Sequence, residues 1–297
     1  MKLGKFELLP IADGPIKLDG GMIFGIVPKP LWSKLVQADE LNRVVLHTNC
    51  MLVRMPCGPL RGPQRNVLLE CGMGRKYSDK VRGIYGLRDD VHLVKSLAQA
   101  GVTPEDVSAV ICTHLHLDHV GGGTFFREQC PAGTAPADRA VPTFPNATYY
   151  AQRGEWENAT HPNPITRGTY LPENLLPLER AGRLRLIDGD CEPIPGIRVH
   201  VTGGHTDHHQ SIFVESEGQQ IVFMGDIFPL SYSLRPAYNT ATDHHPIVTM
   251  NEKARMFDEA IRNNWPIWLY HDPQFTVVRL KHGKDCPEIA SVELAAG

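Results

Sequence analysis

The sequence predicts an α+β protein with a four-layer αβ/βα sandwich, in which two sheets pack face to face and helices cover their outer faces. Each half of the 297-residue chain contains several β-branched and Leu-rich segments, and each half also carries a helical pattern of apolar residues. A sheet with one apolar face must bury that face against a second layer, so two such halves favour paired sheets with helices outside. The chain has no internal repeat and no low-complexity linker. We therefore expect one domain over residues 1–297.

The first half contains strand patterns followed by helical ones. Its predicted elements are a strand over 43–55, a Pro/Gly-rich hairpin turn over 56–65, a strand over 66–74, a helix with Val91, Val94 and Ala98 on one face, a helix start at Thr103–Asp106, and a buried strand over 107–113. Residues 124–146 are rich in Pro, Ala and Gly, which predicts an irregular segment that serves as a lid or an oligomer contact.

The second half repeats this organisation. Its predicted strands are 183–188, 197–202, 211–215, 220–225, 266–273 and 275–281. Between the fourth and fifth of these strands, Met250, Ala254, Phe257 and Ile261 recur at helical spacing and predict one amphipathic helix.

Composition excludes several classes of partner. The net charge is −3, which lacks the basic footprint of a nucleic-acid-binding protein. No apolar run reaches the roughly 20 residues that a membrane span needs, and the first residues lack the apolar core of a signal peptide. We therefore expect a cytoplasmic protein that binds neither nucleic acid nor membrane. The seven cysteines are scattered without a C-x-x-C pair, which favours buried reduced thiols.

The segment ICTHLHLDHVGGG, residues 111–123, concentrates metal-ligand side chains directly after a predicted strand. Alternate residues of an extended chain point the same way, so His114 and His116 can bind one ion together. Asp118 and His119 follow after the chain has turned, so they can face a second ion. Imidazole and carboxylate are preferred zinc ligands. The alternative, a loop of solvated histidines, does not account for four such residues within six positions.

Three further ligand-type residues follow predicted strands of the second half. His205 lies in TGGHTDHHQS, Asp226 in GDIFP and His271 in YHDP. Side chains at strand ends are readily brought together along one edge of a sandwich. Each of these residues is a weak signal alone, and together they complete a ligand set.

These motifs together resemble the metallo-β-lactamase superfamily, over nearly the whole chain. Within the superfamily, the chain is most similar to the quorum-quenching N-acyl-homoserine lactonases. The segments that carry this closer resemblance are DGGMIFGIVPKPLW (19–32), GGHTDHHQS (203–211), GDIFP (225–229) and WLYHDP (268–273).

The resemblance implies a centre of two divalent metal ions. His114, His116 and His205 would hold the first ion, Asp118, His119 and His271 would hold the second, and Asp226 would bridge both. The β-lactamases of the superfamily place a cysteine near the position of Asp226, and this chain has none there. A set of histidines and aspartates suits Zn²⁺, which we expect, and also Fe, Mn or Co.

The implied reaction is opening of a lactone or related ester by a metal-bridging hydroxide, with Asp118 or Asp226 passing the proton onward. The lactonases carry a tyrosine shortly after the bridging aspartate, and Phe228 lies near that place here. Tyr232 or Tyr238 would substitute for it, with plain packing as the alternative for each.

For other residues near these motifs, two roles are open in each case. His208, His209 and Asp243 would orient metal ligands by hydrogen bonding, or be ordinary loop residues. Met22 and Phe24, with Ile26 and Trp32, would line a pocket for an acyl chain or form a homodimer contact, with core packing as the alternative.

Competing functions share the same motif. An arylesterase or organophosphate hydrolase, a glyoxalase-II-like thioesterase and a ribonuclease-Z-like nuclease all fit it, although the nuclease expects a basic surface. A catalytically silent metal-binding module is the alternative from another class, and the full set of seven ligands disfavours it.

Overall fold

The computed structural model describes residues 1–56, 65–131 and 133–294. Its strands are β1 (Lys2–Leu3), β2 (Phe6–Ala12), β3 (Ile16–Asp19), β4 (Arg43–Leu46), β5 (Asn49–Met55), β6 (Arg65–Leu69), β7 (Val107–Ile111), β8 (Thr124–Phe126), β9 (Ala140–Pro142), β10 (Thr148–Gln152), β11 (Leu184–Ile187), β12 (Cys191–Ile194), β13 (Ile197–Val201), β14 (Gln210–Ser216), β15 (Gln219–Phe223), β16 (Ile267–Trp268), β17 (Phe275–Lys281) and β18 (Glu288–Leu294).

The helices are shorter elements that alternate with these strands. They are α1 (Gly20–Phe24), α2 (Lys29–Trp32), α3 (Asp79–Tyr85), α4 (Leu93–Gln99), α5 (Leu117–Val120), α6 (Pro136–Arg139), α7 (Arg153–Thr160), α8 (Pro172–Arg180) and α9 (Pro246–Arg262).

Two seven-stranded sheets form the centre of the fold. The first has the order β1-β2-β5-β6-β7-β10-β11, and the second has the order β12-β13-β14-β15-β16-β17-β18. The first sheet is antiparallel from β1 to β6 and parallel from β6 to β11, while the second is antiparallel except where β15 pairs with β16. The hairpins β3–β4 and β8–β9 stand outside both sheets. The predicted α+β class and four-layer sandwich are confirmed.

Alternation of side chains along the second sheet separates two apolar layers. Ile212 and Val214 join a core cluster that also contains Leu52 of the first sheet, so this cluster lies between the sheets. Phe213, between them in sequence, packs instead with Phe257 of α9 on the opposite face. Successive strand residues point to opposite faces, and both faces of this sheet are therefore buried.

The predicted strand over 43–55 is wrong in extent, because two strands occupy it. The chain leaves β4 at Leu46, and the backbone N–H groups of His47 and Asn49 donate to the carbonyls of His271 and Tyr270. These bonds attach the chain to the loop after β16 and separate β4 from β5. Strands β5 and β6 pair antiparallel as the hairpin predicts, although residues 57–64 of the predicted turn lie outside the described residues.

Other boundaries also differ. Thr103 caps only a single 3-10 turn, Pro104–Asp106, before β7 begins. The predicted strand over 266–273 reduces to Ile267–Trp268, because the residues after it turn towards the site. Residues 124–146, predicted to be irregular, contain the β8–β9 hairpin and α6.

The structure can be compared with two predictions from composition, the burial of the cysteines and the lack of a membrane span. Cys50, Cys71 and Cys112 are buried and free, whereas Cys130, Cys191 and Cys286 are free but only half-buried, which corrects the prediction that all are buried. Cys57 lies outside the described residues. Among the helices of the described ranges, none is long and apolar enough to cross a membrane.

Candidate metal centre

The structure brings the seven predicted ligand residues together. They come from the loop after β7 and from α5 (His114, His116, Asp118, His119) and from the segments that follow β13, β15 and β16 (His205, Asp226, His271). All are buried except Asp118, which is partly exposed. Three groups among them have ligand atoms within 4.8 Å of one another, and each group could hold a metal ion.

The first group contains His114, His116 and His205. Nε2 of His205 lies 3.2 Å from Nδ1 of His116. The rings of His114 and His116 meet edge to face with centroids 4.4 Å apart. Two residues apart in an extended segment, these two side chains point to the same space, as the sequence predicts.

The second group contains Asp118, His119 and His271. Nε2 of His271 lies 3.3 Å from Nε2 of His119 and 3.6 Å from Oδ2 of Asp118. The short helix α5 places Asp118 and His119 beside His271, so one hexapeptide contributes to both groups. The ring centroid of His119 also lies 4.0 Å from that of His114, and these two histidines form the third group with Asp226.

Asp226 lies between the two groups. Its Oδ2 is 3.2 Å from Nε2 of His205, and its Oδ1 is 3.4 Å from Nε2 of His119 and 3.4 Å from Nε2 of His271. The preceding Gly225 has a φ of 58°, and a Cβ there would lie only 2.6 Å from Nε2 of His209. The Gly-Asp pair therefore allows the close turn that aims the carboxylate.

The polar atoms of the centre fit a divalent cation. Nε2 of His114 is buried and has no hydrogen-bond partner among the described residues. Leaving such a group unpaired costs about 1–3 kcal/mol. In two places, imidazole nitrogens of different histidines approach within 3.3 Å. Cations placed among these lone pairs would satisfy them, and nitrogen and carboxylate oxygen are ligands that such ions accept.

Charge in the centre also favours a cation. Burial opposes ionisation of Asp226, but His119, His271 and His205 hold the pKa of its carboxyl well below the ordinary value. Burial opposes a charge on His119 as well, yet Asp226, Glu70 and Asp118 raise its pKa well above the ordinary value. Burial lowers the pKa of His114 and His116, which keeps these imidazoles neutral. Carboxylates that stabilise a proton here would equally stabilise a metal ion.

Hydrogen bonds on the far side of the rings fix their orientation. Nδ1 of His205 donates to Oδ1 of Asp243 at 2.8 Å, and Nδ1 of His271 donates to the carbonyl of His47 at 2.9 Å. A proton held on Nδ1 leaves the lone pair of Nε2 facing the centre. Asp243 therefore makes the contact that the sequence predicted for it.

The two histidines after His205 differ in their contacts. His209 is buried, with Nδ1 2.7 Å from the hydroxyl of Thr202 and Nε2 accepting from the N–H of Asp226 at 3.2 Å. It therefore holds the backbone of a predicted ligand. His208 is half-buried against Gly154, and no hydrogen bond joins it to the part of the chain that the structure describes.

Two buried carboxylates were missed by the sequence reasoning. Glu155 of α7 accepts from the N–H of Leu115 at 3.0 Å, from the hydroxyl of Tyr170 at 2.9 Å and from the hydroxyl of Thr206 at 2.7 Å. It therefore links the loops of His114 and His205. Glu70 accepts from the N–H of Thr113 at 2.9 Å, and its Oε1 is 3.4 Å from Nδ1 of His119. A glutamate inside a segment with otherwise apolar strand residues, as in LLECG, is the signal that could have revealed Glu70.

A cavity opens at the centre, beside His116, Asp118, Asp226 and His271. Its other walls are mostly apolar side chains of the β3–β4 hairpin, α1 and neighbouring loops (Ile16, Leu18, Met22, Ile23, Leu46, Met73, Leu117, Pro229, Leu230), with Tyr85 and several threonines. Met22 thus lies where the sequence predicted a substrate pocket.

The other four predicted pocket residues are placed in packing contacts. Phe24 stacks on Trp32 with ring centroids 5.0 Å apart, and Phe228 is fully buried against Phe257. Tyr232 and Tyr238 are half-buried against the apolar cluster around Phe24 and Trp32. None of the four is among the residues that line the cavity in the described ranges, so the packing alternative accounts for them.

The chain belongs to the metallo-beta-lactamase superfamily, since the model of that family matches residues 43–259. Its fold is the one that the metal-dependent hydrolases of that family share.

Two known proteins show more particular similarity. An N-acyl homoserine lactonase from Bacillus thuringiensis is 31% identical over 131 residues, which are 44% of this chain and 42% of that protein. The match thus spans less than half of that relative's length. The crystal structure of a probable metal-dependent hydrolase from Staphylococcus aureus is 32% identical, with a TM-score of 0.85, and covers 99% of this chain and 98% of that one.

A third similarity concerns the fold alone. The dizinc quorum-quenching lactonase AidC, in complex with a product, has a TM-score of 0.73 at 18% identity and covers 97% of this chain and 95% of that one.

Proposed function

We propose that this protein is a hydrolase with two divalent metal ions that opens N-acyl-homoserine lactones or closely related esters. The observation that carries the proposal is the position of Asp226, whose two carboxylate oxygens each face one group of histidines. A carboxylate in this position could contact the ions of a two-ion centre on both sides. The similarity of part of the chain to a lactonase supports the choice of a lactone.

His114, His116 and His205 would hold one ion, Asp118, His119 and His271 the other, and Asp226 would contact both. Bound divalent ions supply Lewis-acid polarisation of a carbonyl and lower the pKa of water towards roughly 7. Zn²⁺ is the metal that we propose, because histidine and aspartate are its ordinary ligands.

The side chains of the centre then have separate tasks. Asp118 lines the cavity with 16% of its side chain exposed, so its carboxylate can accept the proton of the attacking water. The same carboxylate can return the proton to the alkoxide oxygen when the ester C–O bond breaks. Asp226 is less exposed and stays engaged with the surrounding histidines. A serine or cysteine nucleophile is not needed for this reaction.

The cavity walls support an acyl substrate. Ile16, Leu18 and Leu46 of the β3–β4 hairpin and Leu230 place apolar surface directly beside His116 and Asp226. The cavity has a volume of about 50 Å³, less than the roughly 300–1,000 Å³ of an ordinary ligand pocket. It would therefore take the ester group and the carbon atoms next to it, while the rest of an acyl chain would lie outside.

The core that the two sheets share supports a single domain over residues 1–297. The cytoplasmic location and the homodimer stay predictions.

A substrate panel tests the proposal. The zinc-loaded protein is assayed with homoserine lactones of several acyl lengths, aryl esters, a phosphotriester, a thioester and a β-lactam. We expect the highest kcat/KM with a homoserine lactone. A clear preference for the phosphotriester or an aryl ester would replace the lactonase by the arylesterase or organophosphate hydrolase. Bound metal without turnover of any compound would favour the silent metal-binding module.

A further inference from the structure

Helix α3 brings a tyrosine into the cavity beside the proposed centre. Tyr85 is the last residue of this helix, and it lines the cavity together with His116 and Asp118. Among the lining residues that the structure describes, it is the sole tyrosine. Its ring also packs partly against the apolar cluster around Phe24 and Trp32. The ring is thus held by packing while it faces the space next to the metal ligands.

The side chain of Arg43, from strand β4, holds the backbone that carries Tyr85. Nη1 of Arg43 donates to the carbonyl of Gly83 at 2.9 Å and to the carbonyl of Ile84 at 2.8 Å. Nε of Arg43 in turn donates to Asp39 at 3.0 Å. These bonds satisfy two of the carbonyls that the end of a helix leaves unpaired. The position of Tyr85 therefore depends on these bonds from Arg43, which we call the Arg43 tether.

The hydroxyl of Tyr85 differs from the hydroxyls of other tyrosines near the site. Tyr170 donates to Glu155 at 2.9 Å, and Tyr270 donates to the carbonyl of Asp118 at 2.5 Å. Tyr77, in the same cluster as Tyr85, directs its hydroxyl to the carbonyl of Leu117 at 3.5 Å. No hydrogen bond joins the hydroxyl of Tyr85 to any residue in the described ranges. A tyrosine hydroxyl carries a proton at neutral pH and can donate it to an acceptor.

We infer that Tyr85 donates a hydrogen bond to the ester group of the substrate, and so holds the carbonyl beside His116 and Asp118. This inference rests on the proposed hydrolase function and extends it to a residue that contacts the substrate. Negative charge grows on the carbonyl oxygen during attack, and a donor placed there stabilises the transition state more than the bound substrate. No other hydroxyl of a tyrosine in the described cavity wall is available for this role.

The test removes only the hydroxyl. Tyr85→Phe is compared with wild type on the compound of the panel that wild type cleaves fastest. We expect kcat/KM to fall about 100–1,000-fold, mainly through kcat, with unchanged metal content and melting temperature. Tyr150→Phe is the matched control, because Tyr150 lies on β10 under the Arg185 side chain and outside the cavity. It should keep wild-type kinetics.

A binding measurement separates this inference from the proposed function. The probe is a 3-acylamino-2-pyrrolidinone, the lactam that matches an acyl-homoserine lactone, titrated into metal-loaded protein. We expect its Kd to rise at least several-fold in Tyr85→Phe. If Tyr85→Phe matches wild type in both kcat/KM and Kd, the inference is wrong and the hydrolase proposal stands. If wild type cleaves nothing, the hydrolase proposal fails, and the Kd alone decides whether Tyr85 contacts an acyl lactam.

The Arg43 tether allows a second test. Arg43→Lys replaces the guanidinium by a single ammonium, which cannot bond the two carbonyls as Nη1 does and Asp39 as Nε does at the same time. We expect it to lower kcat/KM several-fold in a chain with Tyr85 and to have no further effect in Tyr85→Phe. Additive effects of the two substitutions would show that Arg43 does not act through Tyr85.

Discussion

At the scale of the residue, the orientation of His205 depends on one carboxylate. Asp243 accepts from Nδ1 of His205 at 2.8 Å, and its own position is fixed by the hydroxyl of Thr240 at 2.8 Å. Asp243→Asn keeps the shape and removes the charge. We expect a 10–100-fold loss of metal affinity or of kcat, the usual effect of such partners of a metal ligand. Titration of the apoprotein with zinc measures the affinity.

Asp207, two residues after His205 in the chain, provides the control. It accepts from the exposed His245 at 2.6 Å and from Asn158 at 2.8 Å, outside the centre. Asp207→Asn should retain wild-type affinity for zinc. Equal losses in the two variants would show that general loss of charge, and not the bond to His205, explains the effect.

The sequence predicts some residues of the site and leaves others hidden for a physical reason. His114 to His119 are recognisable because metal ligands need particular side chains at particular spacings, and GGH, GD and HDP repeat that signal after strands. Tyr85 carries no such signal, since its place in the cavity depends on Arg43, 42 residues earlier in the chain. Phe228 is adjacent in sequence to the centre, yet its backbone turns the ring towards α9.

At the scale of the element, helix α7 joins the two ligand loops through Glu155. Its carboxylate accepts three hydrogen bonds in a buried site, from Leu115, Tyr170 and Thr206. Glu155→Ala leaves three buried donors without their acceptor. Each unpaired group costs about 1–3 kcal/mol, so we expect the free energy of unfolding to fall by about 3 kcal/mol. Urea denaturation of the metal-free protein measures it.

An exposed residue on the same helix is the control. Glu157→Ala removes a carboxylate that lies in solvent two positions away, and it should change the free energy of unfolding by less than about 0.5 kcal/mol. A loss in Glu155→Ala no larger than that of Glu157→Ala would contradict the linking role of Glu155.

Helix α9 holds the segment after Asp226 through a buried lysine. Lys253 is 1% exposed and donates to the carbonyl of Tyr238 at 2.7 Å. Burial lowers the pKa of Lys253 to about 7, and the charge of Asp243 opposes part of this shift. Between about pH 7 and the ordinary lysine value near 10.4, the unfolded chain therefore binds more protons than the native protein.

Stability should consequently rise with pH over this window because of Lys253. We expect the free energy of unfolding of wild type, relative to Lys253→Met, to increase by roughly 1 kcal/mol per pH unit between pH 7.5 and 9. Denaturation curves of both proteins over that range give the difference, with the exposed Lys34→Met as the control. A difference that is flat with pH would mean that Lys253 keeps its charge inside the protein.

The elements themselves follow from local sequence to different degrees. Helix α9 and strands β14 and β15 are predicted at the right places in the chain. The buried face of α9 differs from the predicted one, because of the four predicted residues only Phe257 is buried and the face runs through Lys253 and Met256 instead. The break between β4 and β5 is not predictable from the pattern in RVVLHTNCMLVRM. It results from hydrogen bonds to Tyr270 and His271, which lie more than 200 residues away in the chain.

At the scale of the whole molecule, the proposed centre joins the two sheets. His114, His116, Asp118 and His119 follow a strand of the first sheet, and His205, Asp226 and His271 follow strands of the second. Ions bound by both sets would connect the sheets at one edge and stabilise the native state by binding it preferentially. The catalytic and stabilising effects of the metal would therefore have the same structural origin.

The most direct test counts the metal ions. Elemental analysis of zinc-loaded protein should find about two ions per chain, and their removal by a chelator should abolish hydrolysis and lower the melting temperature. Asp226→Asn and His116→Ala should each bind fewer ions and lose hydrolysis, while the exposed His161→Ala should match wild type. Wild-type metal content and activity in either ligand variant, or hydrolysis that survives complete removal of metal, would contradict the two-ion centre.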